Sequence, residues 1–133
     1  MLSGFRGNAP IRSPSSGATG AAAEEFVCGF LLQQGCEILG RNVRVGHLEL
    51  DIVARLGDLA LVVEVRCRGR GAWTSGLGSI NGQKRQRVRT AGERLWDRKL
   101  RHDPRVERMR FDTASVTIDQ NGQATVEYIA GAF

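Results

Sequence analysis

The chain predicts an α/β fold (α+β in the wider sense): a mixed central sheet flanked by helices, in the order α-β-β-β-α-β-β. Three observations carry that prediction. Two windows, 21–34 and 82–99, repeat apolar residues at the spacing of a half-buried helix. Several short runs rich in Val, Ile and Leu, bounded by Gly, Asn and Asp, read as strands. One of them, 59–65, is apolar on both faces, as a central strand covered by helices must be. A chain of 133 residues with 41% apolar composition fits one domain, placed at 19–133.

The first 18 residues carry Arg6, Arg12, several Ser and Gly, and no acid. A transit peptide has that composition, but so does a disordered tail, and a tail is the prediction. Helix 21–34 has Phe26, Val27, Phe30 and Leu31 as its apolar stripe, Thr19 or Ser16 to cap it, and Gly35 to end it. The first strand spans 36–46, bent near Gly40. Strands 48–54 and 61–67 follow, joined through Gly57-Asp58 as a hairpin. Window 69–78 has glycines at 69, 71, 76 and 78, a flexible loop bearing Trp73. Helix 82–99 turns Val88, Ala91 and Leu95 inward, and Pro104 marks a break. Strand 109–118, the turn Asp119-Gln120-Asn121-Gly122 and strand 124–129 complete the order.

No apolar stretch is long enough to span a bilayer, which predicts a soluble protein with no membrane partner. Cys28, Cys36 and Cys67 are odd in number and lack C-x-x-C spacing, so a zinc ribbon and a thioredoxin-type motif are excluded. Packed, reduced thiols in the cytoplasm are the expectation. His47 and His102 are isolated and read as structural or solvated.

The hairpin holds the unusual chemistry. If Leu56 pairs with Leu59, paired numbers sum to 115, and Asp51 faces Glu64 while Glu49 faces Arg66. Carboxylates opposed at about 5 Å between Cβ atoms repel unless a cation lies between them. Acids alternating in this way have the form of a Mg²⁺-dependent phosphodiesterase site, since Mg²⁺ takes one or two carboxylates and keeps its other positions for water and phosphate oxygens. Glu24 or Glu25 on the first helix can add an outer acid. The same spacing is also that of cross-strand salt bridges on a solvated face, worth about 0.2–1 kcal/mol each. Against that alternative, Val53 and Val62 share the face, and a buried unpaired carboxylate is costly.

Glu24-Glu25, Gly35, Arg41-Asn42-x-Arg44, Glu49-Leu50-Asp51-Ile52-Val53, Val63-Glu64-Val65-Arg66-x-Arg68, Lys84-x-x-x-Val88 and Arg110-Phe111-Asp112 occur in order. Together they resemble the YraN family of small, uncharacterised bacterial proteins, over about 21–118. That family is similar in turn to the PD-(D/E)xK endonucleases, including Holliday-junction resolvases. The resemblance implies a restriction-endonuclease-like core with Mg²⁺ (or Mn²⁺) as cofactor. It implies Asp51 and Glu64 as metal ligands, Glu49 and Glu24 as accessory acids, and Arg66 in the place of the catalytic lysine. The motif's Glu-Val-Lys is Glu-Val-Arg here, and a guanidinium stays protonated and cannot serve as a general base. A degenerate nuclease fold that binds nucleic acid or a protein is therefore the alternative function.

The formal charge of +5 is uneven, with eleven basic and four acidic residues between Lys84 and Arg110. Lys84, Arg85, Arg87, Arg94 and Arg98 flank the apolar stripe of the second helix and form a candidate nucleic-acid surface, reading DNA structure more than sequence. A solvated helix face is the plainer reading. Trp73 and Trp96 are candidates for base stacking, Trp96 equally for core. A homodimer joined through the acidic and basic face is a further expectation.

Overall fold

The computed structural model describes residues 5–10, 19–68 and 82–133. Its elements are β1 (Phe5–Pro10), α1 (Thr19–Gln33), β2 (Glu37–Val45), β3 (Leu48–Leu56), β4 (Leu59–Arg68), α2 (Gly82–Arg98), a 3-10 turn at Leu100–His102, β5 (Arg108–Ile118) and β6 (Gln123–Ile129). The predicted α-β-β-β-α-β-β order is present. β1 is an addition, because Phe5–Pro10 pairs antiparallel with β6 where composition predicted a disordered tail. An extended backbone needs only an unpaired edge to bond to, and without β1 the outer side of β6 would be one. The Gly-rich loop with Trp73, and Ser16, lie outside the described residues.

The six strands run β1-β6-β5-β4-β3-β2 across the sheet. Neighbours are antiparallel except β4 and β5, which are parallel. That parallel step needs a crossover, and the chain between β4 and β5 contains α2. α1 covers one face of the sheet. Ala23, Val27, Phe30 and Leu31 pack on Ile52, Leu61, Val63, Val116 and Tyr128. α2 covers the other, with Ala91 and Leu95 against Val53, Val62 and Phe111. Val88 and Trp96 are half-buried at the rim of that second core.

Two glycines shape the helices. Gly35 at φ +91° ends α1 as predicted, with Cys36 N–H bonding the Leu31 carbonyl and Gly35 N–H that of Leu32, the paired bonds of a Schellman cap. Gly92 lets α2 approach the sheet: a Cβ there would lie 2.5 Å from the ring of Phe111. Phe133 packs on the same ring at 5.4 Å between centroids, and Arg89 stands 5.3 Å over it. Arg89 is thereby tied to the core rim, unlike the outer arginines of α2.

Candidate active site

The hairpin register is as predicted near the turn. Leu56 pairs with Leu59 and the ladder continues to Ile52 opposite Val63. There it stops, one pair short of Asp51 and Glu64. β4 keeps its ladder with β5 as far as Arg68 opposite Thr117, while β3 stays with β2 as far as Leu48 opposite Val45. The two central strands thus part company, each held by its outer neighbour, and the sheet forks. The expected pairs Asp51–Glu64 and Glu49–Arg66 are not ladder partners. Glu49 is instead opposite Arg44 on β2.

Asp51 sits in the fork. Its Oδ2 accepts the N–H of Val65 at 2.9 Å, so a side chain supplies β4 with an acceptor beyond the last ladder pair. Burial pushes the Asp51 carboxyl up from 3.8 to about 6. The Val65 N–H and Lys84 oppose the rise, while Glu24 and Glu64 add to it. Glu64 lies on the facing strand at 2% exposure. Neither of its oxygens accepts a hydrogen bond among the described residues. Lys84 Nζ, from the first turn of α2, stands 3.5 Å from Glu64 Oε2. Asp51, Glu64, Glu49, Lys84, Val62 and Val88 line one open cleft.

The structure therefore brings together Asp51, Glu64, Lys84 and, at the rim, Glu49. Glu24 is half-buried on α1 and reaches Arg41 of β2 at 3.9 Å, acting on Asp51 through space. Arg66 is not among the described residues that line the cleft. Arg85, Arg87, Arg94 and Arg98 are all exposed on α2. His47 and His102 are exposed and apart from the cleft.

No group of three or more His, Cys, Asp and Glu side chains converges on one point among the described residues. A tetrahedral zinc site, which needs at least three such ligands, is not built from them. Two carboxylates facing one cleft fit Mg²⁺ or Mn²⁺, which keep several waters. The bare oxygens of Glu64 are the feature that such an ion would satisfy, with Asp51 and Glu64 as its holders.

Reasoning from sequence missed two things. One is the backbone N–H of Val65 as the anchor of Asp51; no side-chain pattern encodes it. The other is a second buried acid, Asp112 on β5. Its carboxylate accepts Arg110 Nε at 2.8 Å and Nη2 at 3.0 Å, Tyr128 O–H at 2.5 Å and Gly131 N–H at 2.8 Å. Burial, and then the Asp112 charge, hold the Tyr128 phenol well above its usual range. The signal was available: Arg110 and Asp112 share one face of their strand with the apolar Ala114, Val116 and Ile118.

Fold and cleft define a class: a small mixed α/β protein with an acidic fork in its sheet and a basic helix beside it. The chain belongs to the uncharacterised protein family UPF0102, whose profile matches residues 23–116, which bears out the resemblance to YraN. It is 53% identical over 116 residues to a UPF0102 protein of Sorangium cellulosum, covering 87% of this chain and 81% of that one. A relative from Myxococcus xanthus is 39% identical, at 86% and 87% coverage. One from Pseudomonas aeruginosa is 38% identical, at 90% and 94%. Among solved structures, Pyrococcus furiosus SfsA in complex with Ca²⁺ aligns with a TM-score of 0.33 at 16% identity, covering 91% of this chain and 64% of that one. A score that low carries no argument.

Proposed function

We propose that the protein acts on nucleic acid as a Mg²⁺- or Mn²⁺-dependent phosphodiesterase with an endonuclease-like core, cutting DNA by its structure more than its sequence. The observation behind this reading is Glu64, a carboxylate withdrawn from water whose oxygens accept no hydrogen bond among the described residues, beside an Asp51 whose ionisation is already resisted. A fold spends stability on such a pair where a ligand repays it. When bound, a divalent cation would polarise the phosphoryl group and lower the pKa of the attacking water. Asp51 and Glu64 hold that cation, and Glu49 and Glu24 add outer negative charge. Arg85, Arg87, Arg94 and Arg98 hold the phosphate backbone along α2. No helix among the described residues is long and apolar enough to cross a membrane. Cys28, Cys36 and Cys67 are free thiols, which suits the reducing cytoplasm.

The test is cleavage of duplex, single-stranded and branched DNA with Mg²⁺ or Mn²⁺, and its loss in Asp51→Ala. Failure of the native protein to cut any of the three removes the enzymatic reading. Charge reversal at Arg87 and Arg94 weakens DNA binding for all sequences. It also flattens the slope of log affinity against log salt by about 0.9 for each phosphate no longer neutralised. Undiminished affinity removes the helix from the interface.

A second reading rests on Arg66: the site is degenerate and the protein binds DNA without cutting it. Arg66→Lys separates the two, since cleavage gained by that change alone marks a lapsed enzyme.

A further inference from the structure

Lys84 does not belong to the row of exposed arginines. It begins the series Lys84, Val88, Ala91 and Leu95, spaced by four, three and four residues, and so lies on the stripe of α2 that faces the sheet. Arg87, Arg94 and Arg98 recur at seven and four residues along one flank of that stripe. The stripe carries the Lys84 ammonium to 3.5 Å from Glu64 Oε2, with the side chain still 47% exposed. Its stem passes into the cleft, and its head has access to whatever enters from solvent.

We infer that Lys84, and not Arg66, is the positioning cation of the Asp51–Glu64 site, holding the Glu64 carboxylate in its bare pocket and turning to a phosphate oxygen when a divalent cation takes that carboxylate over. The inference rests on the metal-dependent reading above. Glu64 needs a counter-charge, because its oxygens accept no hydrogen bond among the described residues, and Lys84 stands within ion-pair range of it. Lys84 lines the cleft together with the two acids, and Arg66 is not among the described residues that do. The chemistry also suits a lysine. A compact ammonium on a flexible stem exchanges one oxygen partner for another without a fixed geometry, whereas a guanidinium fork binds best to one planar partner. The strand position that usually carries the lysine is thus relieved of that task by the helix packed across from it.

The first measurement needs no metal. Urea unfolding in EDTA is followed for two double-mutant cycles, Lys84→Met with Glu64→Gln, and Arg66→Met with Glu64→Gln. The Lys84 cycle is expected to show coupling of about fivefold or more in the folding equilibrium, and the Arg66 cycle less. No coupling to Lys84, or equal coupling to Arg66, overturns the inference.

The second is Mn²⁺ affinity, read from the loss of the free-ion EPR signal on the full chain. Lys84→Met is expected to bind Mn²⁺ about five- to tenfold more tightly, because a positive charge competing for Glu64 is gone. Lys84→Arg stays closer to the native value. Unchanged affinity in Lys84→Met overturns the inference.

Where cleavage is seen, Lys84→Met lowers kcat about 100-fold with little change in KM. An effect on KM alone makes Lys84 one more backbone contact and overturns its role. If neither native nor variant protein takes up Mn²⁺, the metal-dependent reading falls, and the cycles in EDTA alone decide whether Lys84 is the counter-charge of Glu64.

Discussion

Asp112 and Glu64 are both almost wholly withdrawn from solvent, at 0% and 2% exposure, yet the fold treats them in opposite ways. Asp112 accepts four hydrogen bonds, two of them from one guanidinium. It ties β5 to β6 through Tyr128 and to the chain end through Gly131. Glu64 accepts none among the described residues and faces an open cleft. A buried charge supplied with donors on every side is a piece of scaffold. A buried charge left bare on a cleft is a cost that folding does not recover by itself. The contrast sets a scaffold carboxylate beside the one that the proposed function assigns to the site.

Asp112→Ala probes the scaffold side and carries the largest expected effect. It leaves the Tyr128 hydroxyl without its acceptor and the Arg110 guanidinium without its bidentate partner. Destabilisation of about 3–5 kcal/mol is expected in urea, with the Mn²⁺-induced gain in stability intact in whatever fraction folds. A loss under about 1 kcal/mol, within the range of a surface ion pair, would erase the contrast.

Glu64→Gln probes the other side. Glu64 accepts no hydrogen bond among the described residues, and relief of its desolvation offsets the lost Lys84 ion pair, so the metal-free protein should be no less stable, and Lys84 turns to solvent. What disappears is the stabilisation by Mn²⁺, worth about 2.7 kcal/mol in the native chain at a hundred times Kd. A thermal-shift titration of both proteins reads this directly. Strong destabilisation of Glu64→Gln in EDTA would mean that Glu64 is scaffold too, and the comparison would collapse.

How far the sequence reached follows the same division. The turn at Gly57-Asp58 and the alternation of apolar residues specify the register of β3 on β4, because a one-residue slip would turn every side chain over. The helices were legible from period and from Gly35, and Asp51 and Glu64 from acids breaking apolar runs. The fork was not legible. It depends on β4 remaining with β5, a parallel pairing such as Glu64 with Thr113 that no local pattern records. The pairing of Glu49 with Arg66 assumed a ladder running past Ile52, and the ladder ends there. Asp112 was visible only as part of a motif, because its meaning comes from Tyr128 on another strand. β1 was hidden for a simpler reason: Gly7, Asn8 and Pro10 are poor strand formers, and only the open edge of β6 recruits them.

The smallest effect sharpens the comparison most, because it concerns an acid between the two extremes. Asp51 keeps a donor, the Val65 N–H, and its carboxyl is raised from 3.8 to about 6 by burial. Between those two values the folded protein binds more protons at this group than the unfolded chain does. Stability therefore falls as pH rises through the window, and the cost is complete above about pH 6. Roughly 3 kcal/mol would follow from the full shift, and the part of Asp51 that meets solvent reduces this to about 1–2 kcal/mol. Asp51→Asn keeps an oxygen for Val65 and has no charge to desolvate. Its stability should match the native protein below about pH 4 and exceed it by that margin at pH 7.5. Saturating Mn²⁺ should close the gap at pH 7.5 by stabilising the native chain alone, since only its carboxylate gains a cation. Urea curves at four pH values, with EDTA and with Mn²⁺, test both statements. Parallel pH profiles in EDTA would show that Asp51 carries no such cost, and that its strand is held like that of Asp112 and not poised like that of Glu64.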